Sequence, residues 1–182
     1  VVRLGTHASY AQVLDRKTPI YDGQALIPLG VLDKPGTYTL ELLDAQGRVL
    51  EKRSIEVLDA HYQKQNVVLS KEVVELKPSP GEMETVSALK KLESPRKEWT
   101  EPFLAPVPGC MNSPFGVQRY QNGNPTGNYH AGVDQRGPTG KPIVAAAAGT
   151  VRMVKSFNIH GNVVGVDHGQ GVVSIYLHMS KF

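Results

Sequence analysis

Two apolar runs near the C-terminus constrain the fold most. Gly161-Asn162-Val163-Val164-Gly165-Val166-Asp167 and Gly171-Val172-Val173-Ser174-Ile175-Tyr176-Leu177 flank Asp167-His168-Gly169-Gln170. Runs of this length, rich in β-branched residues and bounded by glycine, favour strands, and the intervening residues predict a hairpin with a four-residue turn. An upstream stretch has the same logic. Gly36 to Leu42 alternates with period two, Asp44-Ala45-Gln46-Gly47 reads as a turn, and Arg48 to Val57 alternates again. That predicts a second hairpin with strands of about eight residues, as in a small β-sandwich. Ala25 to Leu29 is apolar, and Pro28 suits an edge strand. With 18 glycines and 13 prolines in 182 residues, the chain reads as mainly β and rich in loops.

Residues 62–101 differ in character. Val67-Val68-Leu69 and Val73-Val74-Glu75-Leu76 read as short strands, and Pro78-Ser79-Pro80-Gly81 then punctuates the chain. Ser79 and Glu82 have capping-box spacing, and Met83, Val86, Leu89 and Leu92 recur at three-residue steps. An amphipathic helix from Glu82 to Leu92 is expected. The organisation predicted is a β-sandwich-like domain over residues 1–65, a connector with a short helix over 66–102, and a second β-rich domain over 103–182. In that last part, Val144 to Val154 reads as two strand pieces around a small-residue bend.

Composition excludes several classes. No run of 18 apolar residues exists, so no segment of this chain is expected to span a membrane. The chain opens at Val1 without Met, which reads as a processed N-terminus. Cys110, the single cysteine, cannot build a disulfide framework or a thiolate zinc site, and it has no base beside it in sequence. Residues 1–102 hold 14 Lys and Arg against 15 Asp and Glu, whereas residues 103–182 hold 6 against 2. The positive field of the second part favours an anionic partner. Without a basic run or a base-stacking motif, nucleic acid is not the expected one.

Chemistry concentrates in His130-Ala131-Gly132-Val133-Asp134. Imidazole nitrogen and carboxylate oxygen both suit zinc, at roughly 2.0–2.2 Å. Gly132, Gly137 and Pro138 argue against a helix here, and in a straight strand the two side chains stand about 13 Å apart. Shared ligation therefore requires a bend, which Gly132 permits; a surface His–Asp pair is the alternative reading of the same spacing. Tyr176-Leu177-His178-Met179-Ser180 ends an apolar run, and alternation puts Tyr176 and His178 on one face. A strand-end histidine facing a groove suits proton transfer to or from a metal-bound water. His7 and His61 are isolated and read as surface residues, His168 reads as structural within the hairpin turn, and His160 lies in a loop with no functional role expected of it.

The motifs also come in a telling order. Ser113-Pro114-Phe115-Gly116, Arg119 and Asn122-Gly123 precede the His130–Asp134 pentapeptide. Pro138-Thr139-Gly140-Lys141-Pro142-Ile143-Val144-Ala145, Gly149-Thr150-Val151, Gly161-Asn162-Val163-Val164, Asp167-His168-Gly169-Gln170-Gly171 and Tyr176-Leu177-His178-Met179-Ser180 follow. This ordered set resembles the lysostaphin-type (LytM-like) zinc metallopeptidases closely over residues 103–182. The upstream β-domain and connector resemble the N-terminal region of longer bacterial members. The resemblance implies an antiparallel β-rich catalytic domain that binds one zinc ion in a groove and hydrolyses peptide cross-links of bacterial peptidoglycan. His130 and Asp134 match the first two zinc ligands, and His178 matches a histidine that leaves zinc alone and positions or activates the attacking water.

The same resemblance implies work outside the cytoplasm, in the bacterial envelope (periplasm or cell surface). The family's third zinc ligand lies in a His-x-His segment, expected beyond Phe182. The 182-residue chain is accordingly expected to be a truncated form, inactive alone for lack of that ligand. A second reading is a catalytically inactive LytM-like module that binds cell wall or regulates another wall hydrolase, with other wall enzymes as partners.

Overall fold

The computed structural model describes residues 2–3 and 7–182. The chain is mainly β and divides into two compact units, Val1–His61 and Tyr62–Phe182.

The first unit contains β1 (Val2–Arg3), β2 (Tyr10–Val13), β3 (Arg16–Pro19), β4 (Gln24–Ala25), β5 (Gly36–Leu43) and β6 (Val49–Val57). Its sheet has the order β3-β2-β5-β6, antiparallel throughout, and β1 pairs separately with β4. Alternation aims Ala11, Val13, Leu40 and Leu42 at a buried cluster, which Ala25 of the separate pair completes. The β5–β6 hairpin is closed by Asp44, whose Oδ1 accepts the N–H groups of Gln46 and Arg48 at 2.9 Å each. The apolar run after Ala25 does not continue as a strand: only Gln24–Ala25 is paired. Pro28 has no N–H for a ladder, and its carbonyl instead accepts from Arg16 Nη1 at 3.2 Å.

The second unit contains β7 (Lys64–Val67), α1 (Lys71–Val74), α2 (Glu82–Lys90), β8 (Met111–Ser113), β9 (Gln118–Gln121), β10 (Asn124–Tyr129), β11 (Asp134–Gln135), β12 (Thr150–Phe157), β13 (Gly161–Gly169) and β14 (Val172–Met179). Three sheets form. The first, β10-β9-β7, pairs β7 parallel to β9; the second is β11-β8; the third is the meander β12-β13-β14. The stretch Val73–Leu76 is not a strand. Lys71–Val74 makes one helical turn with Ser70 as its N-cap residue, and Val73 and Val74 are exposed, with no sheet face to fill.

Helix α2 follows its apolar spacing in part. Val86 and Leu89 are buried with Met153 and Val163, and Leu92 packs against that cluster, but Met83 faces outward. The capping box forms by half. The Glu82 carboxylate takes the Ser79 N–H at 2.7 Å, but the Ser79 hydroxyl accepts the N–H of Asn158 at 2.9 Å, and Gly81 is the N-cap residue. The β13–β14 turn is shorter than the sequence suggests. Gly169 pairs with Val172, leaving only Gln170 and Gly171 as the turn, with φ of 54° and 76°. Two successive positive φ angles match the twist of the flanking strands, and glycine adopts the second without steric cost.

Helix α2 docks on the meander through a notch at Gly165. A Cβ at this position would stand 2.3 Å from Leu89 Cδ2. Gly165→Ala is expected to destabilise the protein by about 1–3 kcal/mol through overpacking. On a Leu89→Ala background, itself costing about 2–5 kcal/mol, the added alanine should cost little. A double-mutant cycle by urea unfolding measures the difference; additive costs would show that the notch is not where the helix seats.

Candidate metal-binding and catalytic site

The His130–Asp134 pair is assembled from four short pieces of chain. His130 follows β10; its N–H donates to the Val117 carbonyl and its own carbonyl accepts the Gly116 N–H, both at 2.8 Å. The backbone bends at Gly132 and enters β11, where Asp134 pairs with Ser113 of β8. The bend brings His130 Nε2 to 3.0 Å from Asp134 Oδ1.

The other ring nitrogen defines the tautomer. His130 Nδ1 lies 3.0 Å from the Pro114 carbonyl and 3.2 Å from Ser113 Oγ. A carbonyl oxygen only accepts, so Nδ1 carries the hydrogen. Buried Ser113 donates its hydroxyl to Gln65 Oε1 at 2.8 Å, which leaves its lone pairs toward His130. Gln65 Oε1 also accepts from Arg119 Nη1 at 2.7 Å, and Arg119 Nη2 reaches Asp134 Oδ2 at 3.3 Å. A closed ring results: His130, Ser113, Gln65, Arg119, Asp134 and back to His130. The His130 and Arg119 side chains are mostly covered, whereas that of Asp134 is 51% exposed, so the ring opens to solvent at the carboxylate.

The fit to zinc can be judged from the donors. Two ligands of a tetrahedral zinc with bonds of 2.0–2.2 Å stand roughly 3.4 Å apart. The 3.0 Å separation of His130 Nε2 and Asp134 Oδ1 needs only a small opening to match. Among the described residues no group of three or more His, Cys, Asp or Glu side chains lies close enough to hold one metal ion.

His178 stands on a different sheet. In β14 the register shifts between Tyr176, opposite Val164, and Met179, opposite Asn162, so one extra residue sits between them. This bulge breaks the strict alternation expected for Tyr176 and His178. The Tyr176 hydroxyl accepts the Ala146 N–H at 2.7 Å, while His178 is exposed with φ of 55°. The His178 N–H donates to the His160 carbonyl at 3.0 Å, and a Cβ on Gly161 would come within 3.1 Å of His178 Cα. The structure brings His130 and Asp134 together and leaves His178 on the meander, with His160 and Gly161 as its neighbours.

Two further histidines have defined partners. Fully buried His168 lies within β13, not in the turn: Nδ1–H donates to the Ala148 carbonyl at 2.7 Å, and Nε2 faces Ser174 Oγ at 2.8 Å. His160 Nδ1–H donates to Glu82 Oε1 at 2.6 Å. The same carboxylate oxygen accepts the N–H groups of Ile159 and His160 at 3.0 and 2.9 Å. Cys110 is exposed and free.

Comparison with known proteins covers the same stretch of chain. Residues 128–182, which contain His130, Asp134 and His178, match Peptidase family M23. Over that segment the chain is similar to LytM-like peptidases. Over 72 residues it is 33% identical to the DD-carboxypeptidase/endopeptidase Mpg of Neisseria meningitidis serogroup B and to that of Neisseria gonorrhoeae; the match covers 40% of this chain and 16% of each relative. A crystal structure of a Pseudomonas aeruginosa protein assigned provisionally to peptidase M23 superposes with a TM-score of 0.68 at 26% identity, covering 98% of this chain and 71% of that one.

At His160, within the matched segment, the clamp of Glu82 makes stability depend on acidity. Burial pushes the Glu82 carboxyl up; the His160 ring and the N–H groups of Ser79, His160 and Ile159 outweigh burial and hold it at about 2. A folded-state value below the unfolded one adds stability that is fully present above the ordinary glutamate range and is lost as the pH falls toward 2. Urea midpoints measured from pH 7 to pH 2.5 are expected to fall less steeply in Glu82→Gln, from a lower starting point. Parallel curves for the two proteins would show that Glu82 does not carry the effect.

Proposed function

We propose that this chain belongs to a zinc-dependent endopeptidase that hydrolyses peptide cross-links of bacterial peptidoglycan, working in the periplasm or at the cell surface. One observation carries the reading. With Nδ1–H engaged by the Pro114 carbonyl, His130 turns its Nε2 to Asp134 Oδ1 at 3.0 Å. An imidazole nitrogen and a carboxylate oxygen then face one point, and both suit zinc. The endopeptidase named among the relatives, and the family matched over residues 128–182, support a peptide bond as the target.

In this reading His130 Nε2 and Asp134 Oδ1 hold zinc, with the third protein ligand supplied from outside residues 1–182. Bound zinc supplies a polarised carbonyl and a water of lowered pKa. The chain's own residues do the rest. Pro114 and Ser113 keep the His130 lone pair available on Nε2 by engaging Nδ1. Arg119 occupies Asp134 Oδ2 and leaves Oδ1 for the metal. His178, exposed on its bulge, moves a proton for the attacking water. The positive balance of residues 103–182, six Lys and Arg against two Asp and Glu, suits an anionic, glycan-rich wall.

The natural full-length protein tests this. Asp134→Ala is expected to remove zinc and wall-digesting activity together, read by elemental analysis and a peptidoglycan release assay. Stoichiometric zinc in that variant would reassign the ligand. His178→Ala is expected to retain zinc and to lose turnover by about 10²–10⁴-fold. Loss of the metal along with activity would instead make His178 a ligand, and full activity would remove it from the chemistry.

A further inference from the structure

The ring around His130 has a member that no motif in the sequence singles out. Gln65 lies on β7, before the family match begins at residue 128. In the parallel β7–β9 pair it stands directly opposite Arg119. Its Oε1 is the shared acceptor for Ser113 Oγ–H at 2.8 Å and Arg119 Nη1 at 2.7 Å. Through Ser113 it sets which way a buried hydroxyl points; through Arg119 it sets where the Asp134 carboxylate is held.

We propose that Gln65 is a positioning residue for both metal ligands, fixing the Nδ1–H tautomer of His130 and the placement of Asp134 from a strand outside the peptidase segment. The inference rests on the zinc reading above. The physical argument is directional. Ser113 has one hydrogen. While Gln65 accepts it, Ser113 can only accept from His130 Nδ1–H. Without that acceptor the hydroxyl is free to turn and donate to Nδ1 in competition with the Pro114 carbonyl, which shifts part of the population to the Nε2–H form, the one with no lone pair for a metal. Arg119 loses its anchor at the same time and no longer holds Asp134 Oδ2 in one place. Second partners of this kind typically alter metal affinity by about 10–100-fold.

The natural full-length protein is the test object, with Gln65→Met (same reach, no acceptor) and Gln65→Glu (acceptor retained). Two quantities are read: zinc affinity by competition with a chromophoric chelator, and the His130 tautomer from side-chain ¹⁵N shifts in metal-free protein. Gln65→Met is expected to weaken zinc about 10–100-fold and to give a mixture of tautomers, and Gln65→Glu to restore both. An unchanged affinity with a pure Nδ1–H tautomer overturns the proposal. So does a weakened affinity that leaves the tautomer unmoved and is not rescued by Gln65→Glu, because that marks a merely structural role. If Gln65→Met fails to fold, Gln65→Leu removes the same acceptor and should show the same two changes. If the wild-type protein binds no zinc, the function reading fails, while the tautomer comparison still decides whether Gln65 sets the histidine.

Discussion

Strand register is the constraint on which the site depends. Two cross-strand pairs, Gln65 with Arg119 and Ser113 with Asp134, place four of the five ring residues. The strands involved are two to four residues long. Strands this short are not stable on their own, so the ring inherits its order from the packing of the unit around it. A slip of one residue in either pair would turn the side chains to the opposite face and open the ring. The His130 backbone adds a third tie, because its exchange of hydrogen bonds with Gly116 and Val117 fixes where β10 ends and the bend begins.

Glu82 does the corresponding work for the meander. Its carboxylate has no exposure and collects three N–H groups and one imidazole N–H. An unpaired carboxylate there would be costly, but a fully satisfied one is a rigid joint between the start of α2 and the β12–β13 turn. The joint reaches His178 in one further step, through the His160 carbonyl. Both halves of the candidate site therefore lean on polar residues of the 62–102 stretch: Gln65 for His130 and Asp134, and Glu82 for the turn beneath His178.

What the sequence revealed follows from range. The β5–β6 and β13–β14 hairpins were legible because alternation and turn residues are local. So was the need for a bend at Gly132, since it follows from strand rise and ligand bond length alone. The turn between β13 and β14 was read two residues too long because Asp167 and His168 look like turn residues. They are buried in the strand by partners far away: the Ser94 hydroxyl for Asp167, the Ala148 carbonyl for His168. Glu82 reads in sequence only as a capping-box residue, because its partners at Ile159 and His160 are just as distant. Gln65 left no signal, because a parallel pairing across some fifty residues imposes no spacing on the chain, and a glutamine in a short polar strand is unremarkable by composition.

The energetics of the ring favour a ligand role over a stabilising one. Asp134 is half exposed, and its contact with Arg119 is a single 3.3 Å approach. Ion pairs of that kind return about 0–1 kcal/mol. Against this stands the ordering of Gln65, Arg119 and Asp134, three flexible side chains that each lose rotamer freedom worth up to about 2 kcal/mol. The Pro114 carbonyl and Ser113, with Gln65 behind it, engage Nδ1 and so aim Nε2 at Asp134 Oδ1, 3.0 Å away. Three neighbours orient one nitrogen toward a half-exposed carboxylate, an arrangement that a weak surface ion pair does not explain and that a cation shared by the two atoms would.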